Sequence, residues 1–152
     1  MWVYLNKKVS IPNGLRLNHI SWDGYRGWIA CGGEGGLLKV LKLETKADSG
    51  AHRGVTAPTT LEFNQTLGGH SGKDTKDNQP SNVLKVSWNE ESEKLTSSDA
   101  NGLIIVWNYN KQKKEWDEEM LNNRDKSTVK DLKWSGDGQK ICIVYEDGKS
   151  EI

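Results

Sequence analysis

Three tryptophans in this chain are each followed, fourteen residues later, by a glycine: Trp22 and Gly36, Trp88 and Gly102, Trp134 and Gly148. The stretches between them match in character. A charged or small turn follows each tryptophan, as in Trp22-Asp23-Gly24, Trp88-Asn89-Glu90-Glu91 and Trp134-Ser135-Gly136-Asp137-Gly138. A short run comes next (Trp28–Cys31, Lys94–Ser97, Ile141–Val144), and then a tight turn that ends in the shared glycine. In the first two copies another apolar run follows, Leu37–Leu41 and Leu103–Trp107. The unit therefore reads strand–turn–strand–turn–strand. Such a unit repeating every ~40–45 residues is the signature of β-propeller blades. The tryptophans are spaced by 66 and then by 46 residues, so the first interval must carry an insertion.

The expected fold is all-β: an incomplete propeller of about two and a half blades, each a four-stranded antiparallel sheet. An N-terminal strand over 2–11 precedes the blades. It suits the role of a latch, pairing with the last blade of a closed ring. Pro12-Asn13-Gly14 then turns the chain. Blade one spans 15–67, with strands near 16–22, 27–31 and 36–43, a polar loop insertion at 44–60 and an outer strand that alternates apolar and polar over 61–67. Blade two spans 68–121, with a charged insertion at 73–82 and strands near 83–88, 94–98 and 103–109. Its outer element, 116–121, is good strand or good helix material. Blade three starts over 128–152, with strands near 129–134 and 140–145. A ring needs at least four blades to close, so these residues read as the opening part of a longer chain.

Composition narrows the function classes. The 21 basic and 21 acidic residues balance, so no net field draws the chain to nucleic acid. No stretch approaches the roughly 20 apolar residues of a transmembrane helix. Cys31 and Cys142 read as small core residues in a reducing compartment. His19, His52 and His70 lie far apart, and neither a metal set nor a Ser–His–Asp arrangement follows from spacing. Cys31-Gly32-Gly33-Glu34-Gly35-Gly36 lacks the lysine and the following helix of a phosphate cradle. Catalytic, cofactor-binding and metal residues are therefore expected to be absent, and the chain is not read as an enzyme.

The residues singled out are structural. Trp22, Trp88 and Trp134 end the inner strand of each blade, where each could bury ~150–250 Å² and act as a core determinant. Gly36, Gly102 and Gly148 are expected at positive φ. WD-type blades also contain a buried relay that joins a histidine, a strand hydroxyl, a turn acid and a tryptophan. Only blade two comes close, offering His70, Ser97 (or Thr96), Asn101 and Trp107. With Asn101 at the acid position the relay is expected to be weakened. In blade one the matching positions are Gly35 and Leu41, so no relay is expected; in blade three Asp147 holds the turn position.

Several longer phrases carry a more specific resemblance. They are Tyr4–Asn13, Ile29–Thr45, Asn101–Trp107 and Gly138–Gly148. In order, and from Met1, they resemble the first propeller of the WD repeat-containing protein 35 family, also called the intraflagellar transport protein 121 family. The likeness departs at the 73–82 insertion. The WD-repeat domain of tubby-like proteins is a relative sharing the Trp-Asn-Glu and Asp-Gly phrases, but it fits Leu37–Thr45 poorly. Family members are long chains of two propellers followed by a helical solenoid. The resemblance implies a scaffold subunit of intraflagellar transport complex A, acting in retrograde transport and ciliary entry of membrane cargo. Implied partners are other complex A subunits and ciliary membrane cargo or its adaptors, with no nucleic acid. The implied location is the cilium (axoneme and basal body) and the cytoplasm. The alternative is a stand-alone WD-repeat adaptor, a substrate receptor or signalling scaffold, including a tubby-like protein. The resemblance brings no catalytic residue with it.

Overall fold

The computed structural model describes residues 14–44, 60–70, 80–122 and 127–151. The expected latch strand and most of the two insertions lie outside them. The described residues form three antiparallel meanders. The first contains β1 (Leu17–Asp23), β2 (Trp28–Gly33), β3 (Leu38–Glu44) and β4 (Thr60–Leu67), paired in that order. The second contains β5 (Val83–Asn89), β6 (Lys94–Asp99), β7 (Ile104–Asn110) and β8 (Glu115–Asn122). The third contains β9 (Val129–Trp134), β10 (Ile141–Tyr145) and the short β11 (Ser150–Glu151). Each four-stranded sheet is a propeller blade, and the third is the start of another. The helix-or-strand ambiguity at 116–121 resolves as a strand. Trp116 is buried while Glu118 and Glu119 face solvent, and ladder pairing to β7 outweighs the helix propensity of the glutamates.

The inner strands carry a pattern beyond the tryptophans. Leu17, Ile20 and Trp22 on β1 correspond to Val83, Val86 and Trp88 on β5 and to Val129, Leu132 and Trp134 on β9. Simple alternation would not put the first two members of each triplet on one face. A register shift at the start of each inner strand does so. It falls between Leu17 and His19, between Val83 and Lys85, and opposite Val144 and Tyr145 in the third blade.

The second and third triplets face the preceding blade. Val83, Val86 and Trp88 pack with Trp28, Ala30, Leu38, Val40 and Leu67 of blade one. Val129 and Leu132 pack with Ile104 of blade two. The expectation that all three tryptophans are core residues therefore needs correcting. Trp88 is 7% exposed, Trp134 is half-buried, and Trp22 is 66% exposed. Ile20, at 61%, is exposed beside it. No earlier blade is present among the described residues to cover the first triplet. Cys142 also departs from expectation. It is exposed, because the core face of β10 carries Ile143 and Tyr145.

The blades also share a hairpin at the turn between their second and third strands. In each, a residue at the end of the second strand donates its N–H across the turn: Gly33 to Leu37, Asp99 to Leu103 and Tyr145 to Lys149, at 2.9, 3.0 and 2.9 Å. The next residue reaches back to the segment before the inner strand: Glu34 to Arg16, Ala100 to Asn82 and Glu146 to Thr128, at 3.0, 2.9 and 2.8 Å. Gly36, Gly102 and Gly148 sit in these turns with φ of 73°, 79° and 83°.

Gly36 is doubly constrained, because a Cβ there would meet the His70 carbonyl oxygen at 2.6 Å, whereas one at Gly148 would meet nothing within 4 Å. Gly148→Ala should therefore cost only the left-handed penalty, about 1–2 kcal/mol. Gly36→Ala should cost more, because backbone must also move apart. Urea unfolding midpoints of the two variants would check the order.

His19 adds a pH dependence to the first seam. Its Nδ1 accepts the Val86 N–H at 3.3 Å, which requires an imidazole unprotonated at that nitrogen. Burial, and next the Lys85 ammonium, hold its pKa below the usual 6.5, while the Asp131 carboxylate pulls the other way. The folded state thus binds fewer protons than the unfolded one. The contribution is full above pH 6.5 and is lost as pH falls toward the lowered folded value. Unfolding midpoints at several pH values should fall on acidification through this window, and less steeply in His19→Gln. An unchanged slope in the variant would refute the assignment.

Candidate functional site

The most organised polar cluster lies in blade two, under the seam with blade one. His70 Nδ1 lies 2.9 Å from Asp99 Oδ2, and His70 Nε2 lies 2.8 Å from Ser97 Oγ. Trp107 Nε1 donates to the same Ser97 oxygen at 2.8 Å. Asp99 can only accept, so the histidine proton belongs on Nδ1. Nε2 then accepts the Ser97 hydroxyl proton, and Ser97 accepts from the indole. The second Asp99 oxygen takes the N–H groups of Asn101 and Leu103 at 2.9 and 3.1 Å. The relay is complete and carries a carboxylate.

This overturns the expectation of a weakened relay centred on Asn101. The acid is Asp99, on the last position of β6, and Asn101 supplies a backbone N–H. The same shift applies to Asp147. It occupies the position of Asn101, its carboxylate receives the Lys149 N–H at 3.1 Å, and Tyr145 stands where Asp99 does. In blade one that position is Gly33, where a Cβ would fall 2.4 Å from the Arg16 carbonyl oxygen, so no acid fits. Thr96 is not a relay member: it faces blade three and accepts Trp134 Nε1 at 3.1 Å. The missed signal was an aspartate four residues before Leu103, ahead of the turn rather than inside it. Gly69 completes the arrangement. A Cβ there would meet Ile105 Cδ1 at 2.6 Å and Trp107 Cη2 at 2.8 Å, so only glycine lets His70 in.

Ser97, His70 and Asp99 have the connectivity of a hydrolytic triad, which sequence spacing did not reveal. Their surroundings argue for a brace. Exposures are 0%, 1% and 1%, and the Ser97 oxygen already holds an indole N–H. A nucleophile needs access and a free approach. The Cys31 thiol is likewise quiet, because burial pushes its pKa up, against the pull of Lys39. Among the described residues no three His, Cys, Asp or Glu side chains converge as a metal set, and no helix is long and apolar enough to cross a membrane.

What the blades offer is surface. The inner-strand turns are tied across blades: Arg26 reaches the Glu90 carbonyl at 2.6 Å and Glu93 at 3.3 Å, and Asn89 reaches the Gly138 carbonyl at 2.9 Å. Beside them Trp22, Trp88 and Trp134 meet exposed Glu90 and Glu91 in a cleft of about 280 Å³. Glu90 and Glu91 thus belong to a solvated face.

Two substitutions separate the acid position from its neighbour. Asp99→Ala strands His70 Nδ1 and two backbone N–H groups, and should cost at least about 2–3 kcal/mol. Asn101→Ala removes an exposed side chain and should stay within about 0.5 kcal/mol. Chemical unfolding of both variants checks the assignment; equal costs would sink it.

Residues 1–150 match the family model described as WDR35/TULP4 N-terminal, a β-propeller. WD repeat-containing protein 35 of Homo sapiens is 57% identical over 148 residues, covering 97% of this chain and 12% of the relative. The Rattus norvegicus protein is 55% identical over the same coverage. Tubby-related protein 4 of Homo sapiens is 35% identical over 122 residues, covering 80% of this chain and 7% of the relative. The chain thus spans about an eighth of the length of the WD repeat-containing protein 35 relatives it matches. Blade architecture, interblade seams and sequence agree: the chain belongs to the WDR35/TULP4 N-terminal β-propeller family, on its WD repeat-containing protein 35 side.

Proposed function

We propose that these blades belong to a scaffold subunit of intraflagellar transport complex A, which supports retrograde transport and ciliary entry of membrane cargo through protein–protein contacts. The observation that carries this reading is the 57% identity to human WD repeat-containing protein 35 across 97% of the chain. That extent reaches beyond blade-core positions into exposed strands and turns, where a shared fold alone imposes little. The geometry is compatible: the organised polar cluster is buried bracing, and accessible features are clefts and edges suited to binding partners. Under this reading the partners are other complex A subunits and membrane cargo or its adaptors, and the site of action is the cilium. A stand-alone WD-repeat adaptor is the second reading, favoured by the 35% identity to Tubby-related protein 4.

Affinity purification of the endogenous protein from ciliated cells, with mass spectrometry of the captured species, tests the assignment. Co-capture of other complex A subunits in stoichiometric amounts is expected. Capture of ubiquitin-ligase or signalling components without them would favour the adaptor.

A further inference from the structure

The outer strands of blades one and two, β4 and β8, border a groove of about 620 Å³. This is the size range of sites that enclose a small ligand or a few peptide residues, ~300–1,000 Å³. Its lining includes Gln65, Gly68, Gly69, Trp116, Asp117 and Glu118. Three features distinguish it from an ordinary crease between sheets.

The first is an unmet donor. Trp116 is 3% exposed, and its indole N–H is buried without an acceptor among the described residues. Its backbone N–H, by contrast, is held across the seam by Gln65 Oε1 at 2.9 Å. Native proteins rarely leave a buried N–H unpaired unless something else supplies the acceptor. The second is charge: among the described residues both charged lining residues are carboxylates, and no cation lines the groove. Asp117 is occupied by Lys113 at 3.7 Å and Asn110 Nδ2 at 3.1 Å. Glu118 is exposed and has no ion pair among the described residues. The third is a bare floor at Gly68 and Gly69. A Cβ at Gly69 would lie 2.7 Å from Glu118 Oε1, so this carboxylate overhangs naked backbone.

We propose that this groove docks a short extended peptide of a partner protein. A lysine or arginine of the peptide pairs with Glu118 beside the bare backbone of Gly68 and Gly69. The proposal rests on reading the propeller as a protein-binding scaffold, and it does not depend on the ciliary assignment. Charge favours this occupant: a carboxylate without a partner on a polar rim selects for a cation and against an acidic segment.

The test is to pan a random twelve-residue peptide library against the full-length protein, then measure the selected peptides by fluorescence polarisation. Selected peptides should share a lysine or arginine. Glu118→Lys should weaken their binding by about tenfold or more, with Glu118→Gln between. Added salt should weaken binding to the parent. Glu118 is exposed, so its variants should melt with the parent, and equal melting temperatures confirm intact blades. Peptides without a basic residue, unchanged affinity for Glu118→Lys, or no selected peptide at all would overturn the proposal. Capture of complex A subunits by the same proteins is scored separately. Peptide binding lost in Glu118→Lys supports the groove whether or not those subunits are captured.

Discussion

Trp28 sits where two blades meet, and the described structure is organised around that meeting. It leaves β2 of blade one and enters an aromatic cluster of blade two. Its ring centroid lies 5.3 Å from Trp116 in an edge-on arrangement, 5.1 Å from Tyr109 and 6.5 Å from Trp88. A four-stranded sheet has two faces and cannot bury either against itself. Blade two solves this by giving one face to Trp28 and its neighbours and the other to blade three. The inner-strand triplets show the rule: the second and third, with a blade before them, are buried or half-buried, and the first, with none before it among the described residues, is exposed. Trp22 and Trp88 occupy equivalent positions and share a residue type, yet one is 66% exposed and the other 7%.

Beneath that seam the His70 relay holds blade two in register. It joins the loop before β5 to β6 and β7, so three separate segments share one hydrogen-bonded chain. Every polar atom in it has a partner, which keeps so polar a cluster from destabilising an apolar interface. Blade one cannot repeat the device, because Gly33 replaces the acid and backbone fills the space of a side chain. It is fixed instead from blade two: Asn82 Oδ1 accepts the Gly35 N–H at 2.9 Å, and Asn18 Nδ2 donates to the Val83 carbonyl at 3.0 Å. The blades are alike in backbone and unlike in how their polar groups secure them.

A molecule built this way presents function at its edges. Its triad-like cluster is sealed, its buried thiol is held protonated, and the accessible chemistry lies in clefts between blades. The outer groove is the clearest of these, since it combines an overhanging carboxylate with a buried donor that no described residue satisfies. The scaffold role proposed above would give such a groove a natural use.

The sequence by itself determined the blade repeat. Trp–Gly spacing and hairpin chemistry are local properties, set by turns that span only a few residues. It therefore placed the inner strands, the turn glycines at positive φ and the family. It also named His70, Ser97 and Trp107. It misplaced the relay acid by two residues, because a one- or two-residue offset at a strand end is invisible without pairing register. Asp99 becomes the acid only once β6 is laid against β7. Burial of the three tryptophans was also beyond it. Exposure depends on which face of the sheet a bulge selects and on whether another blade covers that face. The same holds for the groove beside Trp116, whose walls come from strands about fifty residues apart. Local chemistry drew the blades, and only packing between them decided which residues are core and which are surface.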